Sequence, residues 1–533
     1  MNKLKIKGVF KSLVISFSLG FALPALSATP KDTIIMARKI DDIKVLDPAE
    51  VFEWGSGEII NNLYTRLVTL DPNDFTKLVG GVAESWKVSD DGLTYEFKIR
   101  PGLKFHSGNP VTAKDAEFSL RRVVHLSKTP VFIFNQLGWK PDTVDDMVKA
   151  VDDSTLVLKI AQPYANSLVI NILSAGVASI VDSVEVSKHI KDNDYGYNWL
   201  KTNSAGSGPY KLVVWKPKDA VVLEANPDFY LGAPKSKRFI IRHVAESSAQ
   251  KLLLTAGDID IARDLSADQI KQARSDDKVK VATTEKLSTY YLGLNSAKNE
   301  ILAKPKVWEA LRWLIDYQTM ANTFLDGYYK VHQSFLTGQD GLQETPYKLD
   351  VEKGKTLLAE AGYPDGFSIT MDLYNTAPQT DIAQSIQSTF AQAGIKLNLT
   401  QSDKAQGLTK YRSRGHDIML AAWSPDYLDA HSTAEFFVRN TDNSDNSKNK
   451  TAAWRNGWEI PDLSVLTEKA MMEQDAEKRR NIYLEQQRVV QQNSPMIMLF
   501  QLIESSVLQK NVNDFISGPG FDTALYWKIE KTQ

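Results

Sequence analysis

The chain has 533 residues, of which 43% are hydrophobic and 24% charged, too long for one ordinary core and typical in balance of a soluble globular protein of two or more domains. Its formal net charge of −2 argues against a nucleic-acid or anionic-membrane partner. It contains no Cys, which excludes disulfides, thiolate metal sites and the lipid anchor that a tethered bacterial surface protein carries beside its cleavage site.

Lys3, Lys5, Lys7 and Lys11 precede an apolar run at 13–23 that Pro24 breaks, and Ala25-Leu26-Ser27-Ala28 follows as a small-residue cleavage pattern. This reads as a secretory signal peptide over 1–28, cleaved after Ala28, with an apolar run too short to span a bilayer. Its removal takes four Lys and shifts the net charge from −2 to about −6. The expected address is the periplasm, with no anchor.

A strand is predicted at 32–39 and a helix at 57–67, where Ile59, Ile60, Leu63, Tyr64 and Leu67 keep a 3.6-residue period. Alternating residues flank Asp90-Asp91-Gly92, a hairpin signal. Thr112 reads as an N-cap with Asp115 three positions on, opening a helix to 122. The apolar segment 167–181 is interrupted by Asn171 and Gly176 and reads as buried packing. At Gly206-Ser207-Gly208-Pro209 the chain turns, with glycine expected to supply positive φ; the segment lacks the Lys and the following helix of a phosphate loop. Next come an antiparallel pair at 211–216 and 220–225, a strand at 239–243, a helix at 247–257 and a strand at 258–262. A long extended segment at 281–295 leads to a helical stretch at 307–324.

The second large unit then alternates strand, helix, strand, helix and strand at 367–374, 378–393, 395–400, 405–413 and 418–422. Such βαβ units make parallel strands, with ligands bound beyond their carboxyl ends. Tyr374-Asn375-Thr376 and Trp423-Ser424-Pro425-Asp426-Tyr427 both fall there. On residue types alone Asp426 reads first as a turn residue after Pro425, and second as a carboxylate beside two aromatics, a receptor for an ammonium group. A helix at 476–491, capped by Asp475, and an apolar strand at 496–502 complete the unit. Extended segments near 283–290 and 500–506 would cross between two lobes as a hinge. The sequence has no GxSxG, HExxH or GxxxxGK[ST] motif. His431 and Glu435 are four apart, a spacing for one helix face, but lack a third metal ligand in sequence reach. No catalytic, metal or cofactor site is expected.

An ordered series of blocks carries a resemblance. It comprises Ala83-Glu84-Ser85-Trp86, Arg100-Pro101-Gly102, Lys104-Phe105-His106-Ser107-Gly108, Pro110-Val111-Thr112-Ala113-Lys114-Asp115, Gly206-Ser207-Gly208-Pro209-Tyr210, Asn226-Pro227-Asp228-Phe229-Tyr230, Ala256-Gly257-Asp258-Ile259-Asp260 and Glu360-Ala361-Gly362-Tyr363-Pro364. From residue 32 to about 520 the chain resembles the extracellular solute-binding proteins of family 5, the periplasmic oligopeptide- and dipeptide-binding components of bacterial ATP-binding-cassette importers. The resemblance implies an α/β fold, a two-lobe periplasmic-binding-protein clamp of type II-like form with an extra inserted subdomain in lobe I. Lobe I would comprise 29–73, 206–287 and 505–533, the insertion 74–205, and lobe II 288–504.

The implied protein is a monomer without enzymatic activity or cofactor. It would capture a small peptide or amine-bearing ligand and deliver it to an inner-membrane permease. The W-x-x-D motif of peptide-binding relatives falls on Trp423 and Asp426, whose carboxylate would hold the ligand ammonium. Tyr427, Tyr374, Asn375 and Thr376 would line the same cleft, faced from lobe I by Phe52, Glu53, Trp54 and Gly55. The chain departs from its relatives in offering no Arg in Asn375-Thr376-Ala377 or in Met419-Leu420-Ala421-Ala422 to hold a ligand carboxylate. Family members also take opines, metal chelates, haem and sugars. A secreted hydrolase and a periplasmic co-receptor for a membrane sensor are the competing classes.

Overall fold

The computed structural model describes residues 29–337, 342, 345–447 and 449–532, so the signal peptide expected at 1–28 lies outside the described residues. Among the described residues, eleven strands form one sheet that runs through both lobes of an α/β clamp. One end holds Tyr210–Lys216, Ala220–Ala225, Arg238–His243, Thr33–Arg38 and Ile261–Ala262. The other holds Ile418–Trp423, Ser368–Tyr374 and Lys396–Ser402, which lie parallel as the βαβ pattern predicts. Two long antiparallel strands, Val279–Leu294 and Met496–Gln509, join the ends, and Tyr329–Val331 adds to the second of them.

Composition explains why these two strands cross from one core to the other. At roughly 3.3 Å per residue, a strand of 16 residues spans about 50 Å. Tyr291, Leu292, Leu294 and Ile497 to Phe500 are buried in the larger core with Leu311, Phe390 and Phe437. At the opposite ends Leu508 joins a core built on Ile34, Ile59, Tyr210 and Phe239. The middle is polar: Thr283 pairs with Ser505 and Thr284 with Glu504, and the register shifts between Glu285 and Thr289. In that gap the Lys286 ammonium donates to the Ser517 hydroxyl and to the Gly518 and Gly520 carbonyls, and pairs with Glu504 at 2.7 Å. A break in the ladder, flanked by two anchored ends, is where a pair of strands bends most easily.

The inserted subdomain has its own sheet, ordered Ala83–Val88, Thr94–Ile99, Thr155–Lys159 and Val148–Ala150, packed on the helix Ala113–Leu126 around Tyr95, Phe97, Leu120 and Trp139. The predicted capping box is present, with the Thr112 backbone N–H donating to Asp115 at 2.8 Å. A buried bidentate pair fixes the insertion to the neighbouring segment: Arg122 donates to both Asp47 oxygens at 2.7 and 2.5 Å.

Several boundaries differ from expectation. The first helix is Trp54–Leu63, not 57–67, because Tyr64 turns extended and Thr65–Arg66 pairs with Ser179–Ile180. The stretch 307–324 is two helices, Pro305–Trp313 and Tyr317–Asn322, the second opened by the Asp316 carboxylate accepting from the Thr319 N–H. The strand at 258–262 shortens to Ile261–Ala262, and the one at 496–502 runs on to Gln509.

Gly206 and Gly208 do not adopt positive φ. Their role is close approach, because the chain passes directly over Leu63. A Cβ on Gly208 would stand 2.5 Å from the Leu63 carbonyl carbon and 2.7 Å from the Tyr64 nitrogen. Backbone atoms cannot step aside as a side chain does, so Gly208→Ala should lower stability by about 1–3 kcal/mol in urea unfolding. An unchanged midpoint would show that the crossing relaxes freely.

Candidate functional site

Three parallel strands end side by side, and the segments beyond them form the site. Trp423 closes the strand Ile418–Trp423 opposite Thr289, the residue that resumes the interlobe ladder. Beyond it the chain folds into a tight loop. Ser424 and Ser288 share a hydrogen bond of 2.7 Å, and the Asp426 N–H donates to the Ser432 hydroxyl at 2.8 Å. Asp429 then caps the helix Ala430–Val438, accepting from the His431 N–H at 2.8 Å. Arg479 grips the same carboxylate through two bonds of 2.8 and 2.6 Å. The loop is therefore clamped on both sides of Asp426 while the Asp426 carboxylate itself is left alone.

That carboxylate is the distinctive group. Among the described residues no donor reaches its oxygens, and desolvation by burial pushes its pKa up to about 7 from the ordinary 3.8. A partly buried acid with no partner is costly to ionise unless a cation arrives to share the site. The Trp423 ring stacks flat on Phe436, with centroids 3.8 Å apart and an interplanar angle of 8°, and donates from its indole to Thr433 at 3.4 Å. It thus offers a fixed aromatic wall three residues from the acid.

The other expected site residues divide. Tyr427 is buried beside Asp426 but turns its hydroxyl to Gln136 of the inserted subdomain at 2.8 Å, tying the loop across the seam between the lobes. Phe52 meets Phe132 of that subdomain edge to face at 5.9 Å, and Trp54 stacks on Phe521 at 6.4 Å. Both remain among the more exposed large aromatics, at 37% and 43%. Phe521 adjoins Gly520, on which a Cβ would stand 3.5 Å from the Leu428 side chain, so the Trp54 wall and the Asp426 loop meet across the seam. Glu53 instead faces Lys44 at 3.6 Å, and Gly55 is pressed on Asp42, which accepts its N–H at 2.7 Å. Tyr374 is half-buried at the strand end, while Asn375 and Thr376 are exposed and lead into the helix Ala377–Ala391.

Sequence reasoning missed Phe436, Ser432 and Phe521. An aspartate cap followed by the apolar pair Phe436-Phe437 signals the helix that carries two of them. His431 is buried 3.7 Å from Glu435. No cluster of three or more His, Cys, Asp or Glu able to hold a metal occurs among the described residues, and no helix there is long and apolar enough to cross a membrane.

Two lobes strung on a pair of long strands, with the loop after Trp423 at the strand ends facing the seam, define a binding-protein clamp. The chain belongs to the bacterial extracellular solute-binding proteins of family 5, whose family model (family 5 Middle) matches residues 77–445. It is 28% identical over 518 residues to a protein of Escherichia coli K12 named probable D,D-dipeptide-binding periplasmic protein DdpA, covering 96% of each chain. It is 25% identical over 508 residues to the glutathione-binding protein GsiB of Salmonella typhi, covering 93% of each. It shares the fold of the ABC transporter-associated periplasmic binding protein DppA of Helicobacter pylori, solved with the peptide STSA. That likeness has a TM-score of 0.78 at 23% identity and covers 94% of this chain and 98% of the other.

Proposed function

We propose that the chain is the periplasmic substrate-binding component of an ATP-binding-cassette importer. It captures a peptide or peptide-like ligand by its free ammonium group, between closing lobes, and delivers it to an inner-membrane permease. Residues 1–28 serve as the cleaved export signal. Lobe I is 29–73, 206–287 and 505–533 with the insertion 74–205, and lobe II is 288–504. The observation that carries the reading is the unpartnered, desolvated Asp426 carboxylate beside the fixed Trp423 ring. A ligand ammonium supplies the missing charge, and closure strips water from a pair whose remaining bonds the ligand must complete. Trp423 and Tyr374 wall the ligand from lobe II, and Phe52 and Trp54 from lobe I. The names of the two curated relatives, a D,D-dipeptide binder and a glutathione binder, support a peptide-like guest that carries an amine.

Native mass spectrometry of the purified protein tests the ligand class, with a co-purified amine-bearing peptide as the expected mass. Calorimetry with free and N-acetylated peptides tests the anchor. Acetylation should abolish measurable binding, and an acetylated peptide that binds as well as the free one would refute the reading.

A further inference from the structure

The inserted subdomain meets lobe II away from the strand pair that joins the lobes, and there two helices mate end to end. The insertion contributes the helix Asn166–Ser174, whose N-cap is Ala165, a residue with no side-chain oxygen for the first backbone donors. Lobe II supplies the missing acceptors. The Ala165 N–H donates to the Met471 carbonyl at 2.9 Å, and the Asn166 N–H to the Gln474 side-chain oxygen at 3.2 Å. Met471 lies in the last turn of the helix Pro461–Met472, so its carbonyl is one of those a helix end leaves without an intrahelical donor. The negative end of one helix thus faces the positive end of the other. The Gln474 amide also donates back to the Tyr164 carbonyl at 2.8 Å. One side chain pairs with the backbone on both sides of the N-cap; a carboxylate there could accept but not donate, and a methyl could do neither.

Two further bonds flank this junction, from Arg479 to the Ser167 hydroxyl at 3.2 Å and from the Tyr427 hydroxyl to Gln136 at 2.8 Å. Tyr427 and Met471 also pack against the insertion's own core. The insertion is fixed to the lobe I segment by the buried Arg122–Asp47 pair, so its contact with lobe II must part when the lobes separate. Tyr164 and Ala165 are buried, but Asn166 and Gln474 are exposed at the rim, where water can replace their bonds. We infer that the inserted subdomain is the latch of the closed clamp. Gln474, joined to the start of the helix Asn166–Ser174, is a positioning residue that sets how long a guest stays without touching it. The inference rests on the reading of the chain as a clamp that closes on a ligand. Its bonds run from protein to protein, so they slow the escape of any guest, whatever its side chains. Because Tyr427 adjoins Asp426, the latched insertion also holds the Asp426 loop in place.

The chain has no Cys, so spin labels can be placed by Val151→Cys in the insertion and Val465→Cys in lobe II, positions 68% and 63% exposed that make none of these bonds. Double electron–electron resonance then reads the distance between them, in the empty protein and with Ser-Thr-Ser-Ala or glutathione added. Peptide should narrow the distribution to the latched distance. Gln474→Ala should raise the ratio of parted to latched molecules in the empty protein about 3- to 10-fold, and speed peptide dissociation in stopped flow by a similar factor with the association rate unchanged. Gln474→Glu, which accepts but cannot donate, should recover no more than part of the effect. The urea midpoint of both variants should stay near that of the wild-type protein; a fallen midpoint with unmoved label distances would mean a merely structural contact and overturn the inference. Distances that are single and identical in the empty wild-type protein and in Gln474→Ala would show that the contact never parts, and a dissociation rate unchanged by Gln474→Ala would show that it retains no guest; either result overturns the inference. If neither peptide binds, the proposed ligand class fails, while the distances of the empty protein with and without Gln474→Ala still decide the latch.

Discussion

Asp426→Asn is expected to lose ligand and gain stability at once. Binding of an amine-bearing peptide should weaken by about 2–5 kcal/mol, the range for truncating one partner of a buried charge pair. The unliganded protein should meanwhile become more stable at pH 8 by about 1–4 kcal/mol, because the carboxylate is desolvated with no partner. The two effects share one cause. In the folded protein the Asp426 proton is kept up to about pH 7, whereas the unfolded chain releases it near 3.8. The folded state therefore binds the extra proton between these values, and this group's contribution favours folding in acid and is lost as pH rises toward 7. Asn carries no such dependence. Urea unfolding at pH 5 and pH 8 should show a gain for Asp426→Asn that is much larger at pH 8. Equal midpoints for the two proteins at both pH values would mean that the carboxylate is solvated and not poised for a cation.

Arg479→Ala is expected to cost about 3–5 kcal/mol of stability and to remove ligand binding without touching the cleft wall. Asp429 is buried, and burial opposes its charge. The hydrogen bonds and charge of Arg479 outweigh that penalty and hold the Asp429 carboxyl below its ordinary range. The same guanidinium also donates to the Ala470 carbonyl, to the Tyr483 hydroxyl at 3.0 Å and to the Ser167 hydroxyl of the inserted subdomain at 3.2 Å. Removing it leaves an unpaired buried carboxylate three residues from Asp426, at the cap of the helix that supplies Ser432 and Phe436. Arg479→Lys should recover part of the stability but not the bidentate geometry. A depressed carboxylate stabilises the fold above its unfolded pKa and gives that stability up as pH falls through the folded value, so the wild-type protein should lose this contribution in acid while Arg479→Ala, already without it, changes less. Fluorescence of unfolding in urea measures the cost, and a loss below about 1 kcal/mol would show that the loop is held by other contacts.

Much of this arrangement was legible because the signals are local. The alternation of strand and helix segments, with an apolar run at 418–422, identifies the strands Ser368–Tyr374, Lys396–Ser402 and Ile418–Trp423, and their order predicts parallel pairing, which places Tyr374 and Trp423 at one edge. The hairpin at Gly92 and the cap at Thr112 follow from turn and capping chemistry in the same way. What could not be read is contact between distant residues. Tyr427 adjoins Asp426 in sequence, but its hydroxyl is fixed by Gln136, 291 positions away, and nothing local announces that. Arg455 lies between Trp454 and Asn456 with no pattern to mark it, and only the fold carries it to Phe436. The strand that ends at Gln509 reads as if it stopped at Leu502, because Glu504, Ser505 and Ser506 look like a turn; they are the polar crossing between lobes.

In the proposed function the cleft receives a positive end of its guest on the Asp426 carboxylate. Calorimetry of a binding free peptide at pH 6, repeated in buffers of different ionisation enthalpy, counts the protons exchanged on binding. Asp426 is protonated in the empty protein at that pH and must ionise to pair with an ammonium, so close to one proton should be released per ligand bound, falling to zero in Asp426→Asn. Binding by the wild-type protein with no proton released at pH 6 would contradict the account.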